Sequence, residues 1–597
     1  MGNFLKILFG SCLGTVIGLG VLFFLGFSMI AGLASAGEQK PTVEANSILT
    51  IDLQQVPELT GNVPMDNGIA AFDLDPEEVL GVHDIVRTLE KAKEDDNIKG
   101  VYLNNMYQGG GIAKLRDIRT ALADFRSEGK FVVSFAPSYD QSAYYLASAG
   151  DEVYLGPLGI LDFRGVGVQR TFYKNMLDRL GVKMEIFWAG DFKSATEPFR
   201  RTNMSKESKL QTRQYASGLW NYIVEDVAAS RGKTPAQIRA YANDITGWKG
   251  EPVVDAGLVD DIMTRSEVDA RLHELVGFEP DQKLKKITLE KYFAAKMKKL
   301  KGGGKDEVAV LFAEGGISDG KAQEGAIGDK SLIKEIDALA QDDDVKAVVL
   351  RVNSGGGSAS ASENIWYAAE KLKDMGKPFV VSMGAVAASG GYYIAAGADS
   401  IFAEPETITG SIGVFMMFPD VQEMMDDKLG ITFDTVSTAA HANDFSPFMG
   451  LSEDGKSVLK QRSSIVYEAF LDRVAEGRGL DKKAVRKIAG GRVYLAPRAK
   501  EIGLVDRIGG LDEAIASATA LADLDEADVR VGHYPRIKPP LERLLEDLLG
   551  EDAVGPGFGA AAVREQLGAE YYQQWELLKT MSTTGKAQAV LPETVSF

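Results

Sequence analysis

Cysteine is nearly absent from this 597-residue chain. The single one, Cys12, lies inside an apolar run, so neither an intrachain disulfide nor a cysteine-rich metal site can form. Histidine is almost as scarce: His83, His273, His441 and His533 are the full set, and no two stand at metal-ligand spacing. A histidine-based catalytic triad is therefore poorly supplied. Cationic excess is missing too, and a formal net charge of −19 argues against nucleic acid as the main partner. The basic stretch 296–305 is a local exception that suits a solvated linker or a phospholipid-headgroup contact. A nucleotide loop is not implied, because Gly315 to Lys321 is followed by Ala322 where a magnesium-holding Ser or Thr is needed.

Charge is missing altogether from residues 7–33. That length suits a membrane-spanning helix and exceeds the ~7–15 residue apolar region of a cleavable signal peptide. The ASAG at 34–37 still resembles a cleavage site. Lys6 precedes the run while Glu38 and Glu44 follow it, which places the N-terminus in the cytoplasm and the bulk outside. An N-terminal membrane anchor over residues 1–36 is expected.

What the chain does have is one domain written twice. DDNIKGVYL from 95 matches DDDVKAVVL from 342, the GGG at 109–111 matches that at 355–357, and GLVD at 257–260 matches GLVD at 503–506. The register holds across each copy. The runs VAVLF (308–312) and KAVVLRV (346–352) have strand length and composition. Ile365, Ala368, Leu372 and Met375 then recur at helical spacing, as do Leu115, Ile118, Leu122 and Phe125 in the first copy. GKPFVVSM from 376 and GKFVVSF from 129 supply the next strands. Such alternation predicts an α/β fold of right-handed βαβ units around mostly parallel sheets. The expected boundaries are a first copy at 47–280, a linker at 281–305, a second copy at 306–535 and a tail at 536–597. The tail carries helix-compatible segments at 540–549 and 571–579.

The copies differ where chemistry is at stake. Aligning Tyr144 and Tyr145 with Tyr392 and Tyr393 puts Gln141 opposite Ser389. Aligning the segments from Gly181 and Gly430 puts Lys193 opposite Ala442. One copy offers a serine without a lysine, the other a lysine without a serine. A site using both must draw on both copies.

Ser389 falls between a strand and a helix, where a side chain can be exposed beside free N–H groups of the helix start. It suits a nucleophile with the Gly390 N–H as half of an oxyanion hole, or a plain N-cap with packing glycines. The glycine loop 351–360 suits a second oxyanion donor, most simply the Gly357 N–H, or a phosphate contact, or a turn. Lys193 suits a general base only if desolvation lowers its pKa from ~10.4, for which Phe187, Trp188, Phe192 and Phe199 are candidate walls. A nearby Asp191 carboxylate would oppose that shift. An ordinary surface lysine is the alternative.

Together the motifs GDFKSATEPF, LRVNSGGGS, VSMGAVAASGGYYIAAGAD, TITGSIGVF and GRVYLAPRAKEIGLVD resemble, in order, the signal peptide peptidase A family in its long tandem-domain form (peptidase family S49). The resemblance implies two tandem ClpP/crotonase-like domains behind one transmembrane helix. It implies a membrane-anchored serine endopeptidase of the protease IV type, degrading released signal peptides with a Ser/Lys dyad. Residue by residue, Ser389 is the implied nucleophile, Lys193 the base and Ser411 the residue orienting the lysine. No metal or cofactor is implied. A homotetramer is, as is a bacterial inner membrane with the catalytic domains on the periplasmic side. One departure is Gly355, where the family has proline, so the oxyanion loop is expected to be less stiff. The competing readings are His441 as a replacement base, a crotonase-like acyl-CoA enzyme, and a non-catalytic membrane scaffold.

Overall fold

The computed structural model describes residues 41–54, 56–61, 79–106, 109–244, 250–297, 304–322, 325–525, 528–536 and 588–590. The expected membrane anchor and both helix-compatible tail segments lie outside the described residues. Among the described residues no helix is long and apolar enough to cross a membrane.

The short aliphatic runs become strands buried on both faces, as parallel sheets require. In the first copy these are β1 (Ser47–Ile51), β2 (Ile98–Leu103), β3 (Phe131–Ala136), β4 (Glu152–Leu155), β5 (Lys183–Trp188), β6 (Asp261–Ile262) and β7 (Lys286–Thr288). All but β5 form one parallel sheet in the order β6-β4-β3-β2-β1-β7. The second copy supplies β8 (Glu307–Glu314), β9 (Gly316–Ser318), β10 (Ala326–Gly328), β11 (Val345–Ser354), β12 (Gly356–Ser358), β13 (Phe379–Ala388), β14 (Ser400–Ala403), β15 (Ile408–Gly410), β16 (Phe415–Asp420), β17 (Val493–Leu495), β18 (Arg507–Ile508) and β19 (Arg530–Tyr534). Its sheet runs β18-β14-β13-β11-β8-β19, all parallel, and repeats the first strand for strand. β13 is ten residues long where β3 has six. The extra length carries it past β14 to pair with β15, which in turn holds β17 antiparallel.

The helical periodicity buries Leu115, Ile118, Leu122 and Phe125 in one copy and Ile365, Ala368 and Leu372 in the other. Met375 breaks the pattern: it follows the helix Ala359–Asp374 and is 48% exposed. The segment read as a linker from 281 also has structure. β7 pairs with β1, and the helix Leu289–Lys296 buries Leu289 and Tyr292, so the first copy runs on through residue 296. Five lysines between 283 and 296 interrupt the apolar residues and masked this pattern in the sequence.

A third, mixed sheet joins the copies. Its order is β10-β9-β12-β20-β16-β5, where β20 is Gln588–Val590 of the tail. Among the described residues β5 is the first copy's only strand there, lying antiparallel to β16 over six pairs from Phe415 with Trp188 to Asp420 with Lys183.

A buried charge cluster reinforces that seam. Arg351 on β11 sits between Glu58, 2.9 Å away, and Glu404, 3.5 Å away. Lys114 meets Glu314 at 3.0 Å and Glu58 at 3.5 Å, and Arg116 pairs with Glu406. Burial alone would raise the Glu58 carboxyl, but Arg351 and Lys114 hold it below its ordinary value. Asp117 is held well above the carboxylate range by burial and then by the neighbouring Glu404. Charges this deep are tolerated only when partnered, so the cluster admits one docking of the copies.

Candidate active site

Ser389 lies between the end of β13 at Ala388 and the short helix Gly390–Tyr393. Its backbone has φ 57° and ψ −118°, a conformation that side chains rarely adopt. Five non-glycine residues have positive φ among the described residues, and Ser389 and Ser411 (φ 52°) are two of them. Strain of this kind costs of order 1–3 kcal/mol per residue and persists only where neighbours enforce it. Here the Ser389 N–H donates to the Gly410 carbonyl (2.8 Å) and the Ser411 N–H to the Arg492 carbonyl (2.7 Å). Both serines are fully buried.

Lys193 arrives from the other copy on the turn that follows β5. Two close backbone approaches at glycines bring that turn into place. A Cβ on Gly491 would lie 2.6 Å from the Lys193 nitrogen and Cβ, and one on Gly190 would lie 2.3 Å from the Gly490 backbone. Both positions also have left-handed φ, so glycine is required twice over. Phe192 N–H donates to the Gly490 carbonyl at 3.0 Å. The Gln211 side chain ties the parts together: its Nε2 donates to the Phe192 carbonyl (3.0 Å) and Ser194 Oγ (2.7 Å), and its Oε1 accepts from Val493 N–H.

The result is a lysine Nζ 2.7 Å from Ser389 Oγ, 3.1 Å from Ser411 Oγ and 3.2 Å from the Ser411 carbonyl. A neutral amine has two N–H bonds and one lone pair. Ser411 can accept both N–H groups, which leaves the lone pair for the Ser389 hydroxyl proton. Burial lowers the Lys193 pKa to about 7, and no charged neighbour contributes. Asp191 is exposed. The aromatic wall is thinner than its sequence suggests: Trp188 is 41% exposed with the Arg200 guanidinium over its ring, while Phe199 is buried with Phe415 and Met417. Among the described residues, the groups within hydrogen-bond distance of the amine are the two serine side chains and the Ser411 carbonyl.

The two oxyanion candidates meet backbone to backbone. A Cβ on Gly390 would stand 3.0 Å from the Gly357 nitrogen, and one on Gly357 only 1.9 Å from the Ile317 carbonyl oxygen of β9. Gly357→Ala must therefore push β12 off β9 and turn its N–H away. The expected outcome is a kcat loss of roughly a hundred- to a thousandfold, with unchanged labelling of the folded protein by conformation-sensitive proteolysis. Wild-type kcat in that variant would remove Gly357 from the oxyanion hole. In the same loop Gly356 has φ 96°, so the left-handed backbone lies there and not at Gly355.

The vacated positions look different. Gln141 is buried at the serine's place, and its Oε1 accepts from the Gly165 N–H at 2.8 Å. Ala442 lies in an exposed stretch. The adjoining His441 faces solvent and pairs with Asp444 at 2.9 Å, whereas the buried Ser389 hydroxyl has Lys193. His441 is thus not placed as its base. The glycines at 490 and 491 and Gln211 are the supporting residues the sequence reading missed. Tandem glycine before RVYLAP was a usable signal, but Gln211 in mid-helix gave none.

Comparison with known proteins agrees with this division. The family model described as Peptidase family S49 matches residues 124–279 and 371–525, one match in each copy. Protease 4 of Haemophilus influenzae is 36% identical over 516 residues, covering 84% of each chain. Protease 4 of Salmonella typhi is 35% identical over 475 residues, 78% of this chain and 76% of that one. The chloroplastic serine protease SPPA of Arabidopsis thaliana is 30% identical over 455 residues, 74% of this chain and 66% of that one. Among solved structures, a ClpP1 mutant of Listeria monocytogenes matches 34% of this chain and 94% of its own at 16% identity and a TM-score of 0.24. Family matches in both copies, with relatives of this identity along most of the chain, exclude an acyl-CoA enzyme and an inert scaffold: the chain belongs to peptidase family S49 and is a serine peptidase.

Proposed function

We propose that the chain is a membrane-anchored endopeptidase that degrades released signal peptides, with Ser389 as nucleophile and Lys193 as base. The observation that carries this reading is the 2.7 Å approach of a buried amine with pKa near 7 to a strained serine. Neutral Lys193 takes the Ser389 proton as Oγ attacks the peptide carbonyl carbon. The N–H groups of Gly357 and Gly390 receive the oxyanion. The Lys193 ammonium then gives its proton to the leaving amine. Water attacks the acyl-enzyme as Lys193 again takes the proton, and Lys193 returns it to Ser389 Oγ as the new carboxylate product leaves. Ser411 holds the amine on line throughout.

The substrate class rests on the family resemblance and on the uncharged run at 7–33, which would hold the catalytic domains at the outer face of a bacterial inner membrane. The test is digestion of a synthetic signal peptide, with its apolar region intact, by the purified full chain in detergent. Cleavage within the apolar region is expected by mass spectrometry. Equal cleavage of polar peptides of the same length would sink the substrate assignment.

The repeat also supports a homo-oligomer, proposed as a tetramer. β5 on β16 is the contact that unites the copies within a chain. Its counterparts are residues 432–437 of the second copy, exposed throughout, and 167–172 of the first, which form no strand. Pairing 432–437 of one chain with 167–172 of the next repeats the internal contact head to tail, and such contacts close into rings. Ala442 and Gln141 would then face each other between chains. Light scattering is expected to give four copies for the wild type and one for Thr435→Pro, with peptidase activity retained. A monomeric wild type would contradict the ring.

A further inference from the structure

The loop that carries Gly357 contains three successive glycines, the residue type with the most backbone freedom to lose on folding. Its two ends are nevertheless tied to one short stretch of chain, residues 315–319. At the near end the Ser354 hydroxyl donates to the Gly315 carbonyl at 2.6 Å and accepts from the Gly356 N–H at 3.1 Å. In the middle β12 pairs with β9, Gly357 opposite Ile317. At the far end Asp319, just past β9, accepts from two hydroxyls: Ser358 on Oδ2 and Ser360 on Oδ1, each at 2.8 Å. Ser358 also accepts from the Ala361 N–H as the cap of the helix Ala359–Asp374, so the same clasp fixes the start of that helix. The first copy lacks these two hydroxyls. With the glycines at 109–111 aligned on 355–357, Ile112 stands opposite Ser358 and Lys114 opposite Ser360. The copy without the nucleophile has thus given up both serines, and its Lys114 is committed to Glu314 and Glu58.

We infer that Asp319 is a positioning residue of the peptidase site: through Ser358 and Ser360 its carboxylate holds the Gly357 N–H aimed at the oxyanion. This rests on the proposed oxyanion role of Gly357 and deepens it. A donor lowers the barrier only if its direction is set before the charge develops, so that no reorganisation is left for the moment of reaction. Pairing with β9 at one position limits how closely β12 approaches but leaves it able to pivot about that point. Two hydrogen bonds to a carboxylate, placed one and three residues beyond Gly357, remove the pivot. Glycine at 355 adds no stiffness of its own, so the direction of the Gly357 N–H depends on these ties. Asp319 is exposed, and its replacement leaves the buried core intact.

The test compares kcat and KM on a short alanyl peptide amide with Ki for the matching peptide boronic acid. The tetrahedral adduct of that acid with Ser389 presents an oxygen to the oxyanion donors. The full chain is assayed as wild type, Asp319→Ala, Asp319→Asn and Gly357→Ala. Asp319→Ala is expected to lower kcat and weaken the boronic acid by the same factor, about tenfold, a part of what losing the donor itself costs. Its KM and its rising pH limb near 7 are expected to match wild type, because Lys193 is untouched. Asp319→Asn is expected to stay within about threefold of wild type, since its amide can accept from one hydroxyl and donate to the other. Wild-type kcat and Ki in Asp319→Ala would overturn the inference. So would an Asp319→Asn as impaired as Asp319→Ala, or a loss carried by KM with the boronic acid unaffected. Failure of the oxyanion reading would show separately, as undiminished boronic acid affinity in Gly357→Ala, and would remove the role of Asp319 with it.

Discussion

Lys193→Ala is expected to lower kcat roughly a thousand- to ten-thousandfold, with KM little changed, and Ser389→Ala at least as far. The Ser389 hydroxyl has one basic atom within hydrogen-bond reach, the Lys193 Nζ at 2.7 Å. Among the described residues no other base is placed to take its proton: His441 is exposed and paired with Asp444. Lys193→Arg gives no rescue, because a guanidinium stays charged at any working pH. The pH profile follows the same logic. Only the neutral amine is active, so kcat/KM of the wild type rises with pH through an apparent pKa of about 7 and then levels. Steady-state kinetics of the three variants between pH 5 and 9 checks each point. A wild-type rising limb retained in Lys193→Ala would assign the titration to another group.

The same amine should weaken the fold that holds it. Lys193 has a folded pKa of about 7 against the ordinary 10.5, so between these values the unfolded chain binds the proton more tightly than the native one. Stability therefore rises as pH climbs from 7 to 10.5 and is lost as pH falls back through that window. Below pH 7 the full penalty, roughly 4–5 kcal/mol, applies. Lys193→Met removes it and fills similar volume, while depriving Ser389 and Ser411 of a partner at about 1 kcal/mol each. The variant is expected to be more stable than wild type by roughly 2 kcal/mol at pH 6, and slightly less stable at pH 10. Melting temperatures of both proteins across that range measure the crossing. Parallel curves without a change of sign would mean that the lysine is not held neutral by burial.

Much of this was legible in the sequence because the chain repeats itself. Offset motifs fixed the copies, and the mismatched positions Gln141 and Ala442 pointed to Ser389 and Lys193 before any geometry. What stayed hidden were contacts that no local pattern encodes. KMEIFW reads as a strand, but nothing in it says that β5 leaves its own sheet for β16 of the other copy. Gly491 is required by Lys193, 298 positions earlier in the chain. Trp188 looked like shielding and lies under Arg200 at the surface, since an aromatic run gives no direction to any one ring. The strand at 588–590 is only three residues, too short for periodicity, and is defined by its pairing with β12 and β16.

The claim at the centre is that one active site is built from both copies, with a lysine of the first activating a serine of the second. The rate of acylation by a serine-reactive fluorophosphonate, followed by intact mass and peptide mapping against pH, tests it most directly. The expected result is a single modified residue, Ser389, whose labelling rate rises with pH through about 7 in the wild type and collapses in Lys193→Ala. Undiminished labelling of Ser389 in Lys193→Ala, or stoichiometric labelling of a different serine, would contradict it.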